Sequence, residues 1–267
     1  MVRENKLTPE KMASVIDHTY LEVDGVSQEK QCSSVEKLVE EAHQWGAFAV
    51  CVRESMVAHA CRNLTKLSSS VRLAAVIGFP DGNQFATSDK VVFLNKAKDD
   101  GAVEFDMVIP FDALKRNDSQ RVYDDVFSLS RAAGTQVLKV IFENAYLSPE
   151  QKGTAYKIVR KALVESARET SLGVRFFKTS TGFARLPAGS PTGATLEDVR
   201  LMYHYTRGQF GIKPAGGVGT FKDALAFFEA SGSPLTSEGN PDPFRFRIGS
   251  SSLLAKLHSV SSESSGY

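Results

Sequence analysis

Eight short apolar segments rich in β-branched residues recur along the chain, and stretches with helical periodicity separate them. This alternation indicates a parallel sheet, because two parallel strands must be joined by a long crossover that is usually a helix. Eight strand–helix units in about 250 residues match a (β/α)8 or TIM barrel. The predicted strands are 15–17, 47–52, 72–78, 103–109, 136–142, 175–179, 209–213 and 244–249.

The alternative fold is an open, doubly wound sheet of the dinucleotide-binding kind. That fold carries a glycine-rich turn directly after its first strand. Here the first predicted strand ends at Asp17, and the residues at 18–20 include no glycine. The sequence therefore favours one barrel domain over residues 1–258, with a short N-terminal helix and a flexible, serine-rich tail at 259–267.

Serine and threonine residues mark where several helices are predicted to begin. The segment 33–45 has apolar residues at helical spacing, and Ser33 is predicted to open it with a capping box. Ser148 has the same pattern with proline at the first helical position, and Thr220 is predicted to cap a further helix. The other predicted helices are 54–67, 88–99, 119–133, 195–205 and 251–257.

The 267-residue chain is nearly neutral, with 32 Lys and Arg against 31 Asp and Glu and a formal net charge of +1. Proteins that bind nucleic acid or membrane surfaces through bulk charge carry a strong basic excess. No apolar run approaches the roughly 20 residues of a membrane span. The first ten residues are too polar for a secretory signal. We therefore expect neither a nucleic-acid nor a membrane partner.

The cysteines and histidines show no pattern of a disulfide framework or a metal site. Cys32, Cys51 and Cys61 are odd in number and form no C-x-x-C motif, which is typical of free thiols in a reducing compartment. The five histidines lack the spacing of metal ligands. These observations predict a cytoplasmic protein without a metal.

Polar residues end several of the predicted apolar strands. They are Asp17, Cys51, Asp106, Lys139, Lys178 and Lys213. Lysine is depleted in strands and is almost never fully buried without a partner. Each lysine could extend to solvent by itself, but three of them together with two aspartates favour a cluster at the carboxyl end of the barrel, where barrel enzymes place their active sites.

A clustered, buried lysine can act as a nucleophile. Burial and neighbouring cations both lower a lysine pKa. An unperturbed lysine is neutral in only about one molecule in 2,500 at pH 7, and only the neutral amine attacks a carbonyl carbon. A lysine with a second cation and a carboxylate nearby therefore indicates Schiff-base chemistry. Cys51 is a second candidate nucleophile, but a buried structural thiol beside the pocket explains it more simply.

Two glycine- and serine-rich segments follow the last two predicted strands. Residues 216–220 read G-G-V-G-T and residues 249–252 read G-S-S-S. The loops after strands seven and eight of a barrel frequently bind phosphate through backbone N–H groups. The alternative is ordinary turn chemistry. Neither segment has the spacing of a Walker P-loop or a dinucleotide fingerprint.

Residues 178–182 read K-T-S-T-G and residues 213–217 read K-P-A-G-G, and with these motifs the chain resembles the 2-deoxyribose-5-phosphate aldolase family. Further matching segments are 16–19, 78–83, 104–108, 138–141 and 247–252, so the resemblance covers nearly the whole chain. It implies a class I aldolase on a (β/α)8 barrel. Its reaction is the reversible cleavage of 2-deoxy-D-ribose 5-phosphate to glyceraldehyde 3-phosphate and acetaldehyde in deoxyribonucleoside catabolism, with no metal or other cofactor.

The resemblance implies a role for each strand-end residue. Lys178 matches the Schiff-base lysine, and Lys213 matches the neighbouring cation that lowers its pKa, with Asp17 as ion-pair partner. Asp106 matches the carboxylate that transfers protons through a water molecule. Some members of the family also end in a tyrosine that assists proton transfer, so Tyr267 is a catalytic candidate; a frayed terminus is the alternative.

The resemblance also implies a site for the substrate and its phosphate, in which Gly182, Gly216, Gly217, Ser251 and Ser252 match the phosphate cradle. The implied binding residues are Thr19, Cys51, Lys139, Thr181, Gly182, Gly216, Gly217, Gly249, Ser251 and Ser252. The chain departs from the family at Gly219, where an arginine is usual, and carries Phe183 where some members have lysine. We expect a small-molecule substrate and a homodimer or higher homo-oligomer. The rival functions are a sugar-phosphate isomerase and a catalytically silent sugar-phosphate binding protein.

Overall fold

The computed structural model describes residues 7–264, which form an eight-stranded, all-parallel sheet closed into a barrel. The strand order is β7-β6-β5-β4-β3-β2-β1-β8. Isolated parallel bridges join Ile212 to Phe246 and Ala215 to Gly249, and these contacts close the gap between β7 and β8. The predicted (β/α)8 barrel is confirmed, and the open doubly wound sheet is wrong.

The strands are β1 Ile16–Tyr20, β2 Ala49–Val52, β3 Arg72–Ile77, β4 Glu104–Val108, β5 Val137–Ile141, β6 Arg175–Lys178, β7 Gly211–Lys213 and β8 Ile248–Ser250. The helices are α1 Pro9–Ala13, α2 Gln28–Trp45, α3 Val57–Lys66, α4 Thr87–Asp99, α5 Phe111–Lys115, α6 Ser119–Ala133, α7 Pro149–Glu169, α8 Leu196–Thr206, α9 Phe221–Ala230 and α10 Leu253–Ser264. Short 3-10 turns precede α3, α4 and α7. Within residues 7–264, none of these helices is both long enough and apolar enough to cross a membrane.

The first and last strands differ from their predicted positions. The polar residues after Asp17 look like a loop, but Thr19 and Tyr20 pair with β2, so β1 continues to Tyr20. The last strand begins only at Ile248, because residues 242–246 form a turn in which the Phe246 amide donates to the Asp242 carbonyl at 2.8 Å. Sequence pattern alone could not separate this apolar turn from a strand.

The helix predicted from Ser33 in fact begins at Gln28. Ser27 is its N-cap, and the Ser27 hydroxyl accepts a hydrogen bond from the Lys30 amide at 3.3 Å. Ser33 lies inside the helix, where its hydroxyl donates to the Lys30 carbonyl at 3.0 Å. Serine can form either kind of hydrogen bond, so its presence does not locate a helix start by itself.

The other two predicted helix starts are confirmed. At Ser148 the capping box is complete: the hydroxyl accepts from the Gln151 amide at 3.3 Å, and the Gln151 side chain accepts from the Ser148 amide at 2.9 Å. Thr220 accepts from the Asp223 amide at 3.1 Å and so caps α9. Each cap stabilises the start of a helix that follows a barrel strand: α7 follows β5, and α9 follows β7.

The C-terminal helix α10 is longer than predicted and includes residues 259–264. Leu253, Leu254 and Leu257 are buried, which anchors its first two turns on the barrel. The boundary predicted between 258 and 259 therefore falls inside a helix, because an anchored helix adds further turns at little cost even in a serine-rich segment. Tyr267 lies outside the described residues.

Candidate active site

Seven charged side chains meet inside the barrel, and we call them the ion network. They are Asp17 on β1, Glu104 and Asp106 on β4, Lys139 on β5, Lys178 on β6, Lys213 on β7 and Arg247 just before β8. Glu104 and Asp106 share the inward face because side chains two apart on a strand point the same way. The strand register sets Asp106 beside Lys139 and Lys178 beside Lys213.

Asp106 stands at the centre of the ion network and accepts hydrogen bonds from three lysines. Its Oδ1 accepts from Lys139 Nζ at 2.8 Å. Its Oδ2 accepts from Lys178 Nζ and from Lys213 Nζ, each at 2.7 Å. Burial alone would raise the pKa of Asp106, but the three ammonium groups outweigh it and hold the pKa well below its usual range. Asp106 is therefore ionised at neutral pH.

Beneath Asp106, two further carboxylates hold the cations in place. Lys139 Nζ donates to Glu104 Oε2 at 2.6 Å and lies 3.3 Å from Asp17 Oδ2. Asp17 also accepts from Lys213 and, at 2.9 Å, from Arg247 Nε. The ion network thus places four cations against three carboxylates, and the partly exposed Arg72 adds a fifth cation, with its Nε 2.6 Å from Glu104 Oε1. Because the positive charges outnumber the carboxylates, loss of a proton from one lysine is electrostatically favourable.

The structure separates the three lysines by the direction of their pKa shifts. Burial, followed by the charge of Lys213, lowers the pKa of Lys178. Burial would also lower the pKa of Lys213, but Asp106 and Asp17 outweigh it and raise the pKa. The pKa of Lys139 is raised in the same way by Asp106, Asp17 and Glu104. Lys178 is therefore the lysine most easily deprotonated.

A cavity of about 470 Å³ lies above the ion network, at the carboxyl end of the barrel. Lys178 is the member of the ion network that lines this site cavity, and it is 3% exposed, while Lys139 and Lys213 have no exposed surface. The predicted binding residues on its wall are Thr19, Thr181, Gly182, Gly216, Gly217, Gly249, Ser251 and Ser252. The structure thus brings eight of the predicted binding residues together on the wall of the cavity that Lys178 lines.

Two predicted binding residues lie away from the cavity wall. Lys139 is fully buried and bound to carboxylates, so in this structure it supports the ion network. Cys51 is also fully buried, and burial together with the charge of Asp106 raises its pKa to about 11. The thiol is therefore protonated at neutral pH, which supports the structural interpretation of Cys51 over the nucleophilic one.

The glycines on the wall adopt a backbone that other residues rarely adopt. Gly182, Gly216 and Gly217 have φ of +86°, +85° and +77°. Among residues 7–264, no acceptor is found for the amides of Gly216 and Gly217. These N–H groups can donate to an anion in the cavity, as the glycine-rich sequence predicts.

The sequence analysis missed Glu104, Arg247 and Glu143. The signal for Glu104 was its position two residues before Asp106 on the same face of a strand. Arg247 precedes the last strand, and its guanidinium contacts both Asp17 and Glu104. Glu143 follows β5 with a left-handed φ of +52°, and its carboxylate accepts hydrogen bonds from the amide and hydroxyl of Thr181.

Glu143 is a buried acid with one carboxylate oxygen that has no hydrogen-bond partner among the described residues. Burial raises its pKa from 4.5 to about 7. Between these values the folded protein binds a proton that the unfolded chain releases, so this group makes stability fall as the pH rises through that window. Through its hydrogen bonds with Thr181, Glu143 also links the 181–183 turn on the cavity wall to the end of β5.

We expect Glu143→Gln to stabilise the protein at pH 8 relative to wild type and to change its stability little near pH 4. Glutamine keeps an acceptor for Thr181 and carries no charge to bury, so the difference should reach about 3 kcal/mol at most. Urea unfolding of both proteins at about pH 4 and pH 8 measures it. A difference that is the same at both pH values would contradict the buried titration, and Glu143→Ala controls for the lost hydrogen bonds.

Among residues 7–264, no three His, Cys, Asp or Glu side chains are grouped so that they could hold a metal ion. The donors on the cavity wall are instead an amine, hydroxyl groups and backbone amides. This set suits carbonyl and phosphate oxygens.

Comparison with known proteins agrees with the geometry of the site. A family model described as DeoC/LacD family aldolase matches residues 11–257. A deoxyribose-phosphate aldolase of Thermococcus gammatolerans is 39% identical over 232 residues, covering 85% of this chain and 93% of that protein. The deoxyribose-phosphate aldolase of Alkaliphilus oremlandii is 34% identical over 257 residues, covering 96% and 99%.

Solved structures show the same barrel. A tetrameric deoxyribose phosphate aldolase from Aeropyrum pernix matches with a TM-score of 0.69 and 26% identity, over 96% of this chain and 93% of that one. QR15, described as an aldolase, matches with a TM-score of 0.74 and 30% identity, over 95% and 97%. Because the family model spans most of the chain and the relatives agree along their whole length, the chain belongs to the DeoC/LacD aldolase family.

Proposed function

We propose that this protein is a class I aldolase that reversibly cleaves 2-deoxy-D-ribose 5-phosphate to D-glyceraldehyde 3-phosphate and acetaldehyde through a Schiff base on Lys178. The observation that carries the proposal is the position of Lys178. It is the lysine of the ion network that reaches the site cavity, and its pKa is lowered by burial and by Lys213. The names of the relatives support the same substrate.

The reaction begins when the neutral amine of Lys178 attacks the C1 aldehyde of the open-chain sugar. The carbinolamine loses water and becomes a protonated imine. A base then removes the proton of the C3 hydroxyl, the C2–C3 bond breaks, and its electron pair moves into the imine to give an enamine. Glyceraldehyde 3-phosphate leaves, the enamine takes a proton at C2, and water hydrolyses the new imine to acetaldehyde and free lysine.

The neighbouring residues supply charge and proton transfer. The positive charge of Lys213 lowers the pKa of Lys178 and so raises the fraction of Lys178 that is deprotonated. Asp17 holds Lys213 in position. Asp106 contacts both ammonium groups, so it can exchange protons with the reacting centre through a water molecule. Asp106 also holds Lys178 at the cavity wall, where the carbonyl arrives.

The backbone amides of the glycine-rich loops are proposed to bind the phosphate. Gly182, Gly216 and Gly217 face the cavity beside Ser251 and Ser252. Fixed N–H groups select an anion without a metal. We further propose that the protein acts in the cytoplasm as a homodimer or higher homo-oligomer; the tetrameric relative from Aeropyrum pernix supports self-association.

Two measurements test the proposed function. Acetaldehyde release from 2-deoxyribose 5-phosphate tests the activity. Borohydride added with acetaldehyde should inactivate the enzyme by reducing the imine, and peptide mass spectrometry should then find the adduct on Lys178. A sugar-phosphate isomerase or a silent binding protein would release no acetaldehyde from this substrate. Neither would require an imine that borohydride could reduce.

We also propose that Tyr267 donates the proton to the enamine carbon. It lies three positions beyond the end of α10 at Ser264, a reach of roughly 10 Å. Tyr267→Phe should slow solvent-deuterium exchange into acetaldehyde by about 100-fold, because general-acid catalysis typically contributes that much or more. Borohydride trapping on Lys178 should be unchanged. Equal exchange rates in wild type and Tyr267→Phe would mean that Tyr267 takes no part in the proton transfer.

A further inference from the structure

Lys256 on α10 extends over the loop that contains Gly219. A Cβ atom built on Gly219 would lie 3.3 Å from Lys256 Nζ. Both residues line the site cavity. The ammonium group therefore lies next to the space that a side chain at position 219 would occupy, and it has that space because Gly219 has no side chain.

The Lys256 ammonium has no carboxylate partner among residues 7–259, whose side chains the structure describes. Lys178, the other lysine on the cavity wall, is bound to Asp106 at 2.7 Å. The acidic residue on the wall is Glu22, which is exposed and makes no ion pair with a described residue. Lys256 thus brings an uncompensated positive charge to the cavity.

Donors without partners lie on residues that line the same cavity. The amides of Gly216, Gly217 and Gly219 have no acceptor among the described residues, and the Ser251 amide is likewise without one. A cation combined with several convergent N–H groups is the donor set that binds a phosphate monoester, because each phosphate oxygen accepts more than one hydrogen bond. The cavity volume of about 470 Å³ is sufficient for a phosphorylated five-carbon sugar.

We infer that Lys256 supplies the cation that binds the phosphate of the substrate, in the space that Gly219 leaves open, and that it sets the preference for phosphorylated over non-phosphorylated sugars. The identity of the sugar rests on the proposed function. The anion site itself rests on the geometry of α10 and the 216–219 loop.

The first experiment compares kcat/KM for 2-deoxyribose 5-phosphate and for 2-deoxyribose in wild type and Lys256→Ala. We expect about a 10-fold loss for the phosphorylated sugar, mainly through KM, since a charge-assisted hydrogen bond at an exposed site contributes about that factor. Activity on 2-deoxyribose should stay within about twofold. Lys222→Ala, which removes another exposed lysine, at the start of α9 and outside the cavity wall, is the matched control.

A second variant returns a positive charge to the site from position 219 instead of position 256. The φ of Gly219 lies outside the left-handed region, so arginine can adopt this backbone, and only the flexible end of Lys256 lies close to a new Cβ. Gly219→Arg placed in the Lys256→Ala protein should recover most of the lost discrimination. Gly219→Gln in the same background, which adds length without charge, should not.

Binding of inorganic phosphate, measured by calorimetry, separates this inference from the proposed function. Wild type should bind phosphate about 10-fold more tightly than Lys256→Ala, whatever the enzyme's turnover. An enzyme inactive on 2-deoxyribose 5-phosphate that shows this difference would overturn the proposed substrate and support the anion site. Equal phosphate affinity, or an equal loss in Lys222→Ala, would overturn the role of Lys256.

Discussion

Replacing Lys178 with alanine should lower kcat for 2-deoxyribose 5-phosphate cleavage by at least about 10⁴-fold, because the covalent route through an imine disappears. Lys178→Arg should be equally inactive, since it keeps the charge but forms no imine. The two variants together distinguish the loss of the nucleophilic amine from the loss of the positive charge at position 178. Steady-state acetaldehyde release and borohydride trapping measure the loss.

The fold should survive the change to alanine. The cations around the ion network outnumber its three carboxylates, and Asp106 keeps Lys139 and Lys213 as partners when Lys178 is removed, so no carboxylate is left unpaired. Circular dichroism and thermal unfolding should show a native protein. If the reduced adduct in wild type mapped to Lys139 or Lys213, or if Lys178→Ala kept substantial activity, the assignment of the nucleophile would be wrong.

Lys213→Leu should lower kcat near pH 7 by about 100-fold or more and move the acid limb of the pH–rate profile to higher pH. The charge of Lys213 lowers the pKa of Lys178, so without it Lys178 holds its proton more strongly. Asp106 also loses one of its three lysine partners and is freer to hold the Lys178 ammonium. Both effects act in the same direction, and part of the activity should return at higher pH.

Lys213→Arg is the matched control for this prediction. It keeps a positive charge beside Asp17 and Asp106, so its acid limb should stay near that of wild type even if the larger guanidinium lowers the rate. An acid limb that does not move in a folded Lys213→Leu protein would exclude the electrostatic role of Lys213. Loss of folding in Lys213→Leu is checked by unfolding measurements, and Lys213→Met then provides a substitution with a longer unbranched side chain.

Much of the active site could be predicted because barrel topology brings strand ends together. Five of the residues predicted to end apolar strands belong to the ion network: Asp17, Asp106, Lys139, Lys178 and Lys213. Only the last two end their strands; the prediction of a strand end was wrong for the other three, which lie within β1, β4 and β5 with their side chains in the barrel. Arg247 and Glu104 belong to it as well, but a single arginine before a strand and a single glutamate within one have no distinctive local pattern. Their importance appears only in the folded barrel, where Arg247 contacts Asp17 and Glu104 contacts Lys139.

Helix and strand ends were less predictable where local chemistry allows two outcomes. Ser27 and Ser33 both carry the hydroxyl of an N-cap, and in the structure Ser27 caps α2 while Ser33 donates to the Lys30 carbonyl within the helix. The serine-rich segment after Leu257 has the composition of a loose terminus, yet α10 continues through it to Ser264. For α10 the buried leucines in its first two turns anchor the helix, and further turns then add at little cost.

By itself the sequence determined the eightfold strand–helix alternation, the glycine-rich loops and the lysines at strand ends, because these depend on local periodicity and residue type. Only the tertiary structure showed that Lys178 is the lysine of the ion network that lines the cavity and has a lowered pKa. Lys213 and Asp17 are 196 residues apart in the chain and in direct contact in the barrel. A lysine pKa is set by the sum of burial and of all nearby charges, and that sum exists only once the strands have closed around Asp106.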